Sequence, residues 1–277
     1  IELGNEEVIF EGDDAQGYQH YIDRFLLLEK SIHSKDPGIK LVNAAWWRAE
    51  SPNMEKVFKA LNGKAAYWDL HVDGDQADSG TKTYERLKDM QNSFKTWNPN
   101  TSMKIAVFEE NGGLHNLQRA LGHATNLNAV RRMGDFVLTS TPANGLQPDG
   151  QNDNGWDQGQ IFFTSDKVWG QPPFYAQQMA AAVYQPLLIK TITTGSLDVT
   201  ATKSEDGKTI VLHVVNTSNS SKNAELELQQ FVPHSKAVVY TLSGDPAAEN
   251  TAEDPEKIKT VTSELEMPAS RGRSPVT

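Results

Sequence analysis

The amino-acid sequence predicts an α/β fold followed by an antiparallel β region. Before about residue 185, short apolar runs alternate with amphipathic segments long enough for helices, which is typical of parallel βα units. After about Pro186, polar and apolar residues alternate at a period of two around turn residues, which is typical of antiparallel strands. The parallel part fits either a doubly wound sheet or part of a (β/α)8 barrel, and no Gly-rich phosphate-binding motif follows any strand.

The parallel part is predicted to contain strands and helices in alternation. The apolar runs that predict strands cover residues 1–4, 39–45, 65–72, 103–110, 135–141 and 161–165. Apolar residues at helical spacing predict helices over residues 15–33, 52–61, 81–94, 114–127 and 174–184. Ser51 is expected to cap the second helix, since a side-chain oxygen at this position accepts a hydrogen bond from the first turn.

The antiparallel part is predicted to be a β-sandwich domain. Residues 196–218 alternate around Glu205-Asp206-Gly207-Lys208, which indicates a hairpin, and residues 224–231 and 236–244 repeat the alternation. Residues 244–260 form a long acidic loop. We therefore expect two domains, the later half of a parallel α/β domain at 1–185 and a β-sandwich at 186–277.

Composition excludes several classes of function. The chain of 277 residues has a formal net charge of −10, so nucleic acid and anionic membrane surfaces would repel it. The absence of cysteine excludes disulfides, thiolate catalysis and Cys-based zinc sites. No apolar run approaches the roughly 18 residues that a membrane span needs. The chain begins with neither an initiator Met nor a signal peptide, so we expect part of a longer polypeptide.

Polar and aromatic residues follow the predicted parallel strands, where the reactive groups of α/β folds lie. The residues at these strand ends are Asn5, Glu6, Trp46, Asp69, His71, Glu109 and Glu110. Indole rings stack on sugar rings, amides and acids bind hydroxyl groups, and two carboxyl groups can share the work of acid and nucleophile. Gathered at one edge of a sheet, this set would resemble a sugar-binding site.

Each of these residues also has a simpler structural interpretation. Glu109 and Glu110 are ordinary for a strand end that reaches solvent, His71 fits a structural histidine, and indole rings such as Trp46 pack in cores more often than they bind sugars. The acidic loop at 73–78 suggests a calcium site, but its spacing fails the EF-hand pattern, so a polar turn is the better interpretation. The order of the acids along the chain favours a catalytic role over a structural one, because an acid ends one strand and a second acid ends the strand three βα units later.

Three motifs carry a resemblance to a known family. Residues 4–6 (GNE), residues 104–112 (KIAVFEENG) with the helix and strand behind them, and residues 168–179 (VWGQPPFYAQQM) occur in this order. They resemble the acid/base motif, the nucleophile strand and the segment that leaves the barrel in the α-L-arabinofuranosidases of glycoside hydrolase family 51. The resemblance implies a (β/α)8-type barrel of which only the later βα units are present, followed by a β-sandwich.

The resemblance also implies roles for individual residues. Glu6 would be the general acid/base, Asn5 would bind the sugar 2-hydroxyl, and Glu109 would be the nucleophile. Glu110 is adjacent, and strand alternation sends it to the opposite face, so only one of the two acids points into the site. The predicted substrate-binding residues are Asn5, Trp46, His71, Glu110 and Trp156, with no metal and no cofactor.

The function that the resemblance implies is release of terminal α-L-arabinofuranosyl residues from arabinose-containing plant polysaccharides or oligosaccharides by double displacement. The alternative is a non-catalytic carbohydrate-binding or structural module. A non-glycosidase α/β hydrolase is disfavoured, since the sequence has no G-x-S-x-G motif. We expect little activity from this chain alone, a secreted or periplasmic location, and a homo-oligomer that binds neither nucleic acid nor membrane.

Overall fold

A computed structural model describes residues 1–151, 157–229, 231–267 and 273–276 of the chain. The chain folds into two compact units. The first comprises Ile1–Asp73, Thr81–Asn111 and Ala129–Pro142, and the second comprises Gly74–Gly80, Gly112–Asn128 and Ala143–Thr277. The domain boundary expected between residues 185 and 186 stays a prediction.

The first unit is built on a six-stranded sheet in which every pairing is parallel. Its strands are β1 (Glu2–Glu7), β2 (Val42–Ala45), β3 (Tyr67–Asp69), β4 (Val72–Asp73), β5 (Lys104–Asn111) and β6 (Val137–Pro142). β3 and β4 lie along one edge of β5 and β6 pairs with its other edge. Spatial order therefore follows chain order, whereas a doubly wound sheet reverses its strand order at a switch point.

Helices connect these strands as the apolar spacing predicted. α1 (Ala15–His33) and α2 (Pro52–Leu61) have the predicted bounds. The predicted cap is confirmed, since the Ser51 hydroxyl accepts a hydrogen bond from the backbone N–H of Asn53 at 3.1 Å. α3 (Ser79–Trp97) and α4 (Leu117–Arg132) are longer than predicted. No helix among the described residues is both long enough and apolar enough to span a membrane.

The predicted strand at 65–72 is wrong in one respect, because it breaks into β3 and β4. The backbone N–H of Leu70 still donates to the carbonyl of Ala106 at 2.8 Å. The carbonyl of His71, however, accepts a hydrogen bond from the Arg86 guanidinium at 2.9 Å. His71 therefore leaves the ladder, and its side chain is freed from the regular alternation of the strand.

The core of the first unit is aromatic. The Trp47 ring packs edge-to-face on Trp68 at 5.3 Å between centroids, and Phe94 contacts both rings. All three side chains are buried. Trp47 and Trp68 thus serve packing, which is the simpler structural interpretation of an indole ring.

The described residues of the second unit form four small sheets. β7 (Leu146–Pro148), β8 (Ile161–Phe163) and β9 (Val168–Gly170) form one, followed by α5 (Pro172–Ala182). β10 (Leu187–Ile189), β11 (Asp198–Lys203) and β12 (Ile210–Val215) form an antiparallel sheet with the predicted hairpin. β13 (Ala224–Glu227) pairs with β16 (Arg273–Val276), and β14 (Lys236–Thr241) pairs with β15 (Val261–Glu266). The strands β7, β9, β10, β15 and β16 were not predicted.

Candidate active site

Glu6 lies in an irregular stretch of β1. The pairing of β1 with β2 is regular at Leu3 and resumes at Glu7, with a shift of register between them. Within this stretch Gly4 has φ +120° and Glu6 has φ +47°. A left-handed backbone at a non-glycine residue costs roughly 1–3 kcal/mol and is concentrated at functional sites. Bulges of this kind redirect a side chain out of the strand alternation.

Three side chains converge at the C-terminal edge of this sheet, from β1, from β5 and from the break between β3 and β4. His71 Nδ1 lies 2.8 Å from Oε1 of Glu6 and 3.6 Å from Oε2 of Glu109. One carboxylate oxygen of Glu6, one of Glu109 and a ring nitrogen of His71 all lie within 4.8 Å of one another. The structure therefore brings together the two acids and the histidine that the strand-end rule selected.

The imidazole of His71 is held from its far side by Asp69. Nε2 of His71 lies 2.7 Å from Oδ2 of Asp69, whose side chain is only 2% exposed. The other oxygen of Asp69 accepts a hydrogen bond from the backbone N–H of Phe108 at 2.9 Å. The Asp69 carboxylate on β3 is thus held in place by the backbone of β5, and it fixes the plane of the imidazole ring.

His71 is an imidazolium at neutral pH. Burial lowers its pKa, but the hydrogen bond that His71 donates to Asp69, the negative charges of Asp69 and Glu109 and the hydrogen bond that His71 donates to Glu6 outweigh burial. Together they raise the pKa of His71 to about 9. Both ring nitrogens then carry hydrogen, and each can donate to a carboxyl oxygen.

A fourth acid, Glu2, lies behind Asp69. Its side chain is in hydrogen-bond contact with the Asp69 carboxylate. Burial, followed by the charge of Asp69 and this contact, raises the pKa of Glu2 to about 8. Two carboxyl groups in contact share a proton, since both cannot ionise cheaply at such a distance. Sequence reasoning did not select Glu2, because it lies before the strand end.

The adjacent acids Glu109 and Glu110 have different environments. The side chain of Glu109 is 28% exposed and faces His71. Glu110 has no exposed surface and accepts a hydrogen bond from the Ser140 hydroxyl on β6 at 3.3 Å. The solvated interpretation therefore fails for Glu110, and its burial leaves a substrate no surface to contact there. Its predicted role in substrate binding finds no support in this geometry.

Of the remaining predicted substrate-binding residues, the structure describes Trp46 and Asn5. Trp46 is half-buried and packs edge-to-face on His71, with 6.0 Å between ring centroids. It lines a small pocket together with Glu6, Asp69 and Arg86. Asn5 is exposed beside Glu6. Trp156 lies outside the described residues, so its predicted role stays a prediction.

The charge state of His71 bears on metal binding at this site. Among the described residues, Glu6, His71 and Glu109 form the one group of acids and histidines close enough to hold an ion. A ligating histidine must offer a neutral nitrogen lone pair. In the imidazolium form of His71 both ring nitrogens carry hydrogen, so metal binding here would require His71 to lose a proton.

Comparison with solved structures identifies the fold. An arabinose-bound MgGH51 α-L-arabinofuranosidase is 19% identical, with a TM-score of 0.77 over 99% of this chain and 42% of that one. The Thermotoga maritima α-L-arabinofuranosidase in complex with arabinose is 19% identical, with a TM-score of 0.77 over 99% of this chain and 63% of that one. A thermostable α-L-arabinofuranosidase of glycoside hydrolase family 51 from Thermotoga petrophila is 19% identical, with a TM-score of 0.77 over 100% of this chain and 63% of that one. At such identities the likeness establishes the fold alone.

Comparison with sequence families is more specific. A search of curated proteins finds no match to this chain. The model of the α-L-arabinofuranosidase C-terminal domain matches residues 93–275, which is more than half of the chain and includes β5 with Glu109. The matched range contains two of the three motifs, at residues 104–112 and 168–179, and not the one at residues 4–6. The chain belongs to the α-L-arabinofuranosidase family defined by this C-terminal domain.

Proposed function

We propose that this chain supplies the acid/base and the nucleophile of a retaining glycoside hydrolase. The reaction would release terminal α-L-arabinofuranosyl residues from arabinose-containing plant polysaccharides or oligosaccharides. One observation carries the proposal: a carboxylate oxygen of Glu6 and one of Glu109 lie within 4.8 Å of each other at the end of parallel strands. The arabinose complexes among the similar structures support a sugar of this class as the ligand.

The spacing of the two acids favours retention of configuration. Retaining glycosidases hold their carboxyl groups about 5–5.5 Å apart so that one attacks the sugar directly, whereas inverting enzymes leave about 6.5–9.5 Å for a water molecule. An oxygen–oxygen separation within 4.8 Å between Glu6 and Glu109 matches the shorter, retaining spacing. Double displacement follows as the mechanism that this pair fits.

The two acids would act in two steps. Glu109 attacks the anomeric carbon, and Glu6 gives a proton to the departing glycosidic oxygen. In the second step Glu6 takes a proton from water, which attacks the anomeric carbon and releases Glu109. The N–H at Nδ1 of His71, 2.8 Å from Glu6, stabilises the carboxylate that Glu6 becomes after the first step.

We further propose that the parallel sheet is the later half of a (β/α)8 barrel and that the strands after residue 186 form a β-sandwich. Strand order that follows chain order supports the barrel. Within the described residues, β1 pairs only with β2 and β6 only with β5. Because a barrel needs partners at both edges, we expect little activity from this chain alone. Secretion and homo-oligomerisation stay predictions.

The test is hydrolysis of p-nitrophenyl α-L-arabinofuranoside by the full-length protein, with NMR detection of the anomer first released. We expect retention, and we expect Glu109→Gln and Glu6→Gln each to lower turnover by about 10²-fold or more. Glu55→Gln is the control, since Glu55 lies on the exposed face of α2 and pairs with Lys59. Unchanged rates in both active-site variants would disprove the assignment.

A second arm separates catalysis from simple binding. If the full-length protein binds an arabino-oligosaccharide in calorimetry but hydrolyses none, the carbohydrate-binding alternative is the correct one. If Glu109→Gln retains binding while turnover is lost, the carboxylate acts in the chemical step.

A further inference from the structure

A second pair of carboxyl groups lies behind His71, on the side away from Glu6. Double displacement uses neither member of the pair. Asp69 contacts Nε2 of His71 at 2.7 Å, and Glu2 contacts Asp69 in turn. The side chains of Asp69 and His71 are 2% and 5% exposed, so this line of groups is shielded from water until it reaches Glu6.

We propose that Glu2 is a positioning residue that carries a proton, donates it in a hydrogen bond to Asp69, and thereby holds Asp69 and His71 in line with the acid/base Glu6. The catalytic consequence rests on the proposed function of Glu6. The hydrogen-bonded pair itself rests only on the contacts among these side chains.

The hydrogen-bond inventory decides which member of the pair carries the proton. Oδ1 of Asp69 already accepts from the N–H of Phe108, and Oδ2 accepts from His71. Oε1 of Glu2 is buried with no hydrogen-bond partner among the described residues. A protonated Asp69 would give up acceptor capacity that two donors use, whereas a protonated Glu2 gives up none. The proton therefore belongs on Glu2.

The surrounding charges point the same way. Besides Asp69 and His71, the groups facing Glu2 are Glu109 from β5 and Tyr21 from α1. Asp69 and Glu109 are negative, and His71 is the one positive group among the four. An ionised Glu2 would add a third negative charge around one imidazolium in a poorly hydrated space, which is costly. Neutral Glu2 leaves the imidazolium balanced between Asp69 and the catalytic acids.

Two substitutions separate the hydrogen bond from the titration. Glu2→Gln keeps a donor toward Asp69 but cannot ionise, and Glu2→Leu removes the donor. We expect Glu2→Leu to lower kcat of the full-length protein by about 10- to 100-fold with KM changed less than about twofold. This loss does not exceed the roughly 10²–10⁴-fold that general acid assistance supplies. We expect Glu2→Gln to retain kcat at neutral pH.

The pH profile distinguishes positioning from a merely structural role. Ionisation of Glu2 above neutral pH removes the donor, so the native protein should lose kcat in a step there that Glu2→Gln lacks. An activity-independent readout is the ¹⁵N NMR titration of the His71 ring. Above neutral pH we expect two coupled steps in the native protein and one step in Glu2→Gln, because residue 2 then no longer titrates in that range.

Three outcomes decide the matter. Loss of the lower NMR step and of the alkaline kcat step in Glu2→Gln supports the inference. Identical His71 titrations and pH profiles in native protein and Glu2→Gln overturn it, even if Glu2→Leu fails to fold. If no variant hydrolyses arabinofuranosides but Glu2→Gln still removes the lower NMR step, the carboxyl pair stands and the proposed function is overturned.

Discussion

His71 and Glu6 are joined by a contact of 2.8 Å between Nδ1 and Oε1, although 65 residues separate them in the chain. The contact links a bulge in β1 to the break between β3 and β4. The periodicity of apolar residues in the sequence predicts neither irregularity. Asp69 on the other ring nitrogen completes a carboxylate–imidazolium–carboxylate line.

Substitution of Asp69 should discharge His71. Asp69→Asn removes the nearest negative charge and replaces a carboxylate acceptor by a neutral amide, so the pKa of His71 should fall well below about 9. NMR titration of the imidazole in the native protein and the variant measures the change. Asp135→Asn is the control, because Asp135 is a surface residue on the 3-10 helix Gly134–Phe136. A pKa of His71 that stays near 9 in Asp69→Asn would contradict the network.

Stability should fall as pH rises above neutral. The pKa of His71 is raised from 6.5 to about 9 by folding, so its contribution is fully present below about pH 6.5 and is lost as pH rises through about 9. The pKa of Glu2 is raised from 4.5 to about 8, so Glu2 also lowers stability as pH rises from about 4.5 to about 8. Thermal unfolding of the native protein from pH 6 to about pH 10 should show a decreasing Tm. In Asp69→Asn the decrease should be smaller, and an equal slope in both proteins would count against the charge assignment.

The bulge at Gly4 should tolerate no side chain. A Cβ at Gly4 would lie 2.5 Å from Oε1 of Glu7, and the backbone there has φ +120°. Gly4→Ala should therefore destabilise the protein by more than the roughly 1–2 kcal/mol of an unfavourable φ alone, and it should also lower activity by displacing Glu6. Gly12→Ala is the matched control, since Gly12 has φ +72° but no atom near its Cβ position. Equal losses of free energy of unfolding in the two variants would show that the contact with Glu7 is irrelevant.

Trp46 should act in substrate binding. Its half-buried indole packs against His71 and lines the pocket beside Glu6, so its loss removes apolar surface that a furanose ring would cover. We expect Trp46→Ala to raise KM by about tenfold, equivalent to about 1.4 kcal/mol, and Trp46→Phe to raise it less. Tyr184→Ala serves as the control, because Tyr184 is 72% exposed in the second unit. A normal KM in Trp46→Ala would assign the ring to packing only.

Local patterns in the sequence predicted the regular elements well. The bounds of α1 and α2 follow from apolar spacing and from oxygen-bearing caps, Asp14 and Ser51, which act on residues within one helical turn. The candidate acids Glu6 and Glu109 could also be selected from the sequence, because the pattern of apolar residues shows where a parallel strand ends. Such features depend only on neighbours along the chain.

Tertiary structure alone decided which side chains meet. The sequence by itself determined the βα succession, the strand ends and the identity of the candidate acids. It could not determine that Glu110 is buried, that His71 leaves its strand, or that Glu2 contacts Asp69. Those outcomes depend on the register of the sheet, on the bulge in β1 and on the hydrogen bond from the Arg86 guanidinium to the carbonyl of His71. Each of these features involves residues that are distant from one another in the chain.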